Sequence, residues 1–205
     1  IHISNFNHKK GGLWQSVLVG TEEEIIKTNS SALFYDFFLF GVLSIMTIYH
    51  FGLYILRREE STYFYFGLFC LIISIRILFT GETWITSMIP SINWDLQIKI
   101  EYITFYISPQ VFASFLYYLY SAEFMKKMWL ILNVVGTTFV GIVLFTPPIF
   151  FTQTLPFFQL FALFSGLYFI YVLVLAIIRK RVGAIAACVG MAMFFISMIG
   201  DIIIN

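Results

Sequence analysis

The sequence predicts an all-α polytopic membrane helix bundle, six helices within this chain, with a short β remnant at the amino-terminal end. Three observations carry that prediction. Hydrophobic residues make up 60% of the chain and charged residues 11%, whereas a soluble domain carries about 25% charged residues. Apolar stretches of about 20 residues recur, each long enough to cross a hydrocarbon core of ~30 Å as a helix. Alternating apolar and polar segments of about ten residues, the mark of a β-barrel, are not the pattern.

Taken in order, residues 1–31 are polar, with β-like runs at Ile1–Phe6 and Leu13–Val19 separated by a Lys-Lys-Gly-Gly turn. Two strands alone are marginal in water, so they read as the end of an extracytoplasmic β domain and its linker. Glu22–Glu24 reads as a solvated connector. Residues 32–205 form the transmembrane unit, with helices expected at Ala32–Leu56, Thr62–Gly81, Ile98–Tyr120, Met128–Thr146, Leu155–Ile178 and Ala184–Asn205. Trp84 and Trp94 flank an apolar loop holding Met88, Pro90 and Ile92, which is expected to lie along the membrane surface.

The loops set the orientation. Arg57 and Arg58, then Lys126 and Lys127, then Arg179, Lys180 and Arg181 follow helices one, three and five, while the connections after helices two and four carry Lys99 alone. The positive-inside rule makes the first set cytoplasmic and places the amino terminus outside, in a plasma (inner) membrane.

Arg76 is the exceptional residue of the second helix, ~21 Å along it from Thr62. A cation inside an apolar span faces protein or water and marks function by default. With helix two running outward, Arg76 falls in the outer leaflet, at one level with Asp36, Glu82, Glu101 and Asp201. These five residues form a candidate intramembrane polar network; snorkelling to lipid phosphate and a purely structural tie are the competing readings. Pro109 in helix three removes a backbone donor and is a candidate hinge. Gly183 with Ala187, and Ala186 with Gly190, are small residues spaced for close packing in helix six.

Other chemistries lack their residues. No catalytic, cofactor or metal site is indicated: His50 stands alone and reads as a hydrogen-bonded structural histidine, and Cys70 and Cys188 lie within apolar helices. A net charge of +1, with no basic and aromatic interleaving, speaks against a nucleic-acid partner. A small-molecule or ion transporter or channel is the alternative function, weakened because the acids gather at one surface and no internal repeat is visible.

Several stretches resemble one bacterial family, the seven-transmembrane receptors with diverse intracellular signalling modules (7TMR-DISM). ISNFNHKKGGLWQSVLVG is similar to the closing strands of that family's extracytoplasmic jelly-roll domain. FGLYILRREESTYFYFGLFCLIISIRILFTGE, from Phe51 to Glu82, resembles its first two helices and their basic turn. WDLQIKIEY, Trp94 to Tyr102, and RKRVGA, Arg179 to Ala184, are similar to its third-helix entry and its fifth-to-sixth loop. The resemblance implies a bacterial signal-transducing receptor core with a seventh helix to follow. An extracytoplasmic ligand, of carbohydrate type by the look of the jelly roll, would be read through the helices by a cytoplasmic output module in the same parent chain. A two-component histidine kinase or a nucleotide cyclase is such a module. Beginning at Ile1 and ending directly after an apolar helix, the chain reads as a piece of that parent, not itself an enzyme, with membrane lipid and a possible homodimer as partners.

Overall fold

A computed structural model describes residues 20–80 and 93–192, with the main chain alone at 22, 23, 25–29 and 32. Among these the chain is helical between short turns, which establishes the all-α class. The β-like runs, Glu82, the Trp84 loop, Asp201 and the latter part of helix six lie outside the described residues.

Helix α1 spans Glu22–Leu56, 35 residues or ~52 Å. Glu22–Glu24 is thus its first turn and not a connector. The reason is local: Thr21 accepts from the Glu24 main chain, and the Glu24 carboxylate accepts from Thr21 N–H, a capping box that satisfies two orphan donors. The membrane-length part begins at Leu33. The preceding residues carry the helix ~16 Å further.

Helix α2 follows at Ser61–Phe79, α3 at Trp94–Leu119, α4 at Lys126–Phe145 and α5 at Leu155–Ile178. A turn at Pro148–Phe151 and a 3-10 turn at Thr152–Thr154 lead into α5. Residues 184–192 begin α6. Gly183, expected as a packing residue of that helix, sits instead in the preceding turn with φ 77°, where glycine avoids the usual Cβ penalty. Ala187 packs against the core, while Ala186 and Gly190 are exposed.

Successive helices run antiparallel. Ser44 Oγ lies 3.2 Å from Ser74 Oγ across α1 and α2. Phe69 on Phe112 and Tyr65 on Tyr118 join α2 to α3, and Trp129 Nε1 donates to Ser114 Oγ between α4 and α3. Helix α5 returns against α3 through Phe158 on Tyr106 and Phe169 on Phe112.

Helix α3, touched by α2, α4 and α5, is the centre of the bundle, and its composition shows it. Among the described residues four stretches are long and apolar enough to span a membrane: Leu33–Leu56, Ser61–Phe79, Lys126–Phe145 and Pro148–Ile178. Helix α3 has the length, at 26 residues, but buries polar side chains at Thr104, Ser108, Gln110 and Ser114. Gln110 and Ser114 mark it as an interior helix, because neighbouring α4 supplies their partners, Thr137 and Trp129. Thr104, Ser108 and Ser114 each donate to a carbonyl four residues back. Helix α1 is the opposite case, with Phe34, Ile45, Ile48 and Leu56 all exposed, as a lipid-facing helix requires.

The core is divided. One cluster gathers Ile98, Tyr102 and Tyr106 of α3 with Phe151 and Phe158, at the end where α3 begins. The other gathers Ala113, Leu116 and Tyr120 with Phe169 and Leu173, at the end where α3 finishes. Between them stand Ser108, Pro109 and Gln110. Pro109 lies inside an unbroken helix, Trp94–Leu119. Gln110 Oε1 accepts from Thr137 Oγ1 at 3.2 Å, packed so closely on Gly136 that a Cβ there would meet Gln110 Cδ at 2.9 Å.

Candidate functional site

Two polar assemblies stand at opposite ends of the bundle. At the first, Arg76 in the last turn of α2 extends Nη1 to the Glu101 main-chain oxygen, 2.9 Å away. Its guanidinium lies 4.8 Å from the centroid of Phe105. Glu101 and Phe105 are one turn apart on α3, so one planar cation meets both a carbonyl and a ring on the same face. Thr104 Oγ1 also reaches Glu101 O at 3.0 Å while donating to Ile100 O at 2.8 Å, so it shares the Glu101 carbonyl with Arg76.

From Phe105 the contacts continue inward. Phe105 packs edge-on against Phe158, and Phe158 packs on Tyr106 with centroids 4.3 Å apart. Tyr106 is fully buried, with its hydroxyl 3.0 Å from Thr154 Oγ1. Thr154 already donates to Phe151 O, so Tyr106 must be the donor. Tyr102 closes the group against Phe151. Arg76 is thereby connected through α3 to the turn between α4 and α5. Thr152 Oγ1 in that turn is buried without a hydrogen-bond partner among the described residues.

Of the five residues expected as a polar network, the structure brings Arg76 and Glu101 into contact, through the main chain of Glu101. Asp36 is half-buried on α1. The Ser44–Ser74 contact sets the α1–α2 register and puts Asp36 ~9 Å along the bundle axis from the Arg76 level. Glu82 and Asp201 lie outside the described residues. His50 donates Nδ1–H to Met46 O at 2.8 Å and packs on Phe66. Among the described residues no three His, Cys, Asp or Glu side chains cluster as metal ligands.

The second assembly joins the turn after α3 to the turn after α5, and sequence reading missed it. Glu123 has a fully covered side chain, and its Oε1 accepts from Arg181 Nε at 2.9 Å and from Arg179 Nη1 at 3.3 Å. Burial pushes the Glu123 carboxyl up, but the paired guanidiniums of Arg181 and Arg179 outweigh it and hold the group below its ordinary value. Tyr120 Oη donates to Val182 O, and Met125 N–H donates to Tyr168 Oη at 3.0 Å. The arginines read as topology signals; the lone acid among basic loop residues was the available clue.

A family model described as 7TM diverse intracellular signalling matches residues 32–205, which takes in the membrane-length part of α1, helices α2 to α5, the described start of α6 and both polar assemblies. The chain belongs to this family. It is a multi-pass membrane protein of a signalling family, and the family is one of receptor transmembrane domains and not of enzymes. Comparison with curated proteins and with solved structures returned no match.

Proposed function

We propose that this 7TM signalling chain is the transmembrane core of a bacterial receptor, relaying the binding of an extracytoplasmic ligand to a cytoplasmic output module of the same parent protein. The amino terminus lies outside the plasma membrane, and the Arg76 assembly faces the sensor side. The observation that supports the relay is the anchorage of Arg76 on Glu101 O and Phe105. It ties α2 to the central helix and, through Phe158 and Tyr106, to the α4–α5 turn. A ligand shifts the balance of two helix arrangements only if it favours one of them, and a tie spanning three helices beside the sensor is where that preference is felt. Pro109, between the two core clusters, is the position at which α3 can bend while both ends stay packed. A kinase or nucleotide cyclase is the output module that the reading expects, working as a dimer, and a carbohydrate-type molecule the ligand.

The test is a signalling assay on the full-length receptor in its own membrane. Arg76→Ala is expected to leave the receptor in the membrane but uncouple output from ligand. Output that still follows ligand as in the wild type overturns the reading. Cysteines at Thr21 and Val182 test the orientation: impermeant maleimide on intact cells should label the first and spare the second.

A further inference from the structure

We propose that Glu123, Arg179 and Arg181 form a latch, a two-state tie that closes the basic end of the bundle and opens without disturbing the Arg76 end. Only its cytoplasmic placement rests on the receptor reading above.

The closed state is built from opposing contributions. Favouring it are two charge-assisted bonds from residues 56 and 58 positions away. Opposing it are two features of the same structure. Helix α5 ends in a Schellman motif, Arg181 N–H to Ala176 O and Lys180 N–H to Ile177 O, whose left-handed position is held by Lys180 at φ 55° instead of a glycine. A side chain in that region is strained, and such strain persists where surrounding contacts over-determine it. Glu123 Oε2 is also buried with no hydrogen-bond partner among the described residues, a state native structures seldom leave unexplained.

A buried ion pair adds little net stability compared with apolar packing, yet removing one partner leaves an uncompensated charge. Losing the arginines while Glu123 stays covered is therefore costly, so opening has to expose Glu123 as well. Arg179 and Arg181 are each about half exposed, with side-chain exposures of 53% and 48%, so both can exchange Glu123 for water on opening. The turns they join end α3 and α5. Opening thus separates α3 from α5 within the cluster around Leu116 and Leu173, to which Leu132 of α4 and Met191 of α6 also belong, while the cluster around Tyr106 and Phe158 stays packed.

The test uses the chain in lipid nanodiscs, with Cys70 and Cys188 replaced by alanine and spin labels at the exposed positions Ser121 and Val182. A second labelled pair, at Asp95 and Gln153, reports the opposite end. The unmodified latch should give one narrow Ser121–Val182 distance. Glu123→Gln should lengthen or broaden it by roughly 2 Å or more, with the Asp95–Gln153 distance unchanged. Arg181→Lys, which keeps the charge and loses the guanidinium geometry, should give a partial shift and serves if Glu123→Gln fails to fold. An unchanged Ser121–Val182 distance overturns the proposal. So does a parallel change at both ends, which would make the cluster a general support of the bundle.

Discussion

Arg76 grips Glu101 by its main chain: Nη1 is 2.9 Å from the carbonyl oxygen, with the Phe105 ring beneath the guanidinium. Recognition of a carbonyl is indifferent to the side chain that carries it. Glu101→Gln should leave this α2–α3 tie in place, and Arg76→Lys should weaken it, because an ammonium lacks the flat fork that reaches carbonyl and ring together. Arg76→Lys is expected to lower stability by about 1 kcal/mol whether residue 101 is Glu or Gln, as read by reversible unfolding in mixed micelles. Reversing both charges should restore nothing. A loss that disappears in the Glu101→Gln background would show that the carboxylate, not the carbonyl, is the partner that matters.

Gly136 and Gln110 should couple strongly. A methyl at Gly136 meets the Gln110 amide at 2.9 Å, and the side chain can swing aside only by giving up Thr137. Alanine also gains ~0.5–1 kcal/mol over glycine within a helix, and a neutral hydrogen bond is worth ~0.5–1.5 kcal/mol. These nearly cancel, so Gly136→Ala alone should be close to neutral. In a Gln110→Ala background the clash is gone and the same change should stabilise by ~0.5–1 kcal/mol. A double-mutant unfolding cycle measures the difference, and simple additivity would refute the packing argument.

The sign of the pH effect at Glu123 follows from its lowered pKa. Its carboxyl titrates below the ordinary 4.5 in the folded chain because Arg181 and Arg179 stabilise the anion more than burial opposes it. The unfolded chain therefore takes up the proton first as pH falls. The contribution of Glu123 is fully present above pH 4.5 and is lost as pH drops through the lower folded value. The gap in thermal midpoint between wild type and Glu123→Gln should stay constant from pH 8 to about 5.5 and shrink below 4.5. A gap that closes already near neutrality would mean the carboxyl is raised, not lowered.

The helices and the place of Arg76 near the end of α2 were legible because hydrophobic runs and an isolated intramembrane charge are local signals. The place of α3 at the centre was less so. Its Ser, Thr and Gln residues lower its hydropathy, and only the packed bundle shows that they face inward. Glu123 could not be paired from sequence at all, since its partners stand 56 and 58 residues later and all three lie in loops whose register the fold alone fixes. Thr21–Glu24 is a different kind of miss. The Thr-x-x-Glu spacing of a capping box is present, but a polar stretch follows it where an apolar run usually marks a helix start.

That cap leads to the last prediction. Thr21 and Glu24 close the first turn of α1 about ten residues ahead of Leu33, where the membrane-length stretch begins. The Glu24 carboxyl is held below its ordinary value, chiefly by the Thr21 N–H and then by the Thr21 hydroxyl. Thr21 and Glu24 are both exposed, and the cap is the contact that closes this turn. Thr21→Ala should speed amide exchange at residues 22–25 by about five-fold and leave exchange beyond Leu33 unchanged, which hydrogen-exchange mass spectrometry resolves. If the helix ahead of Leu33 is a rod that passes movement from sensor to bundle, loosening its first turn should weaken the response without lowering the amount of receptor. Unaltered exchange at residues 22–25 would show that something other than the cap holds the turn.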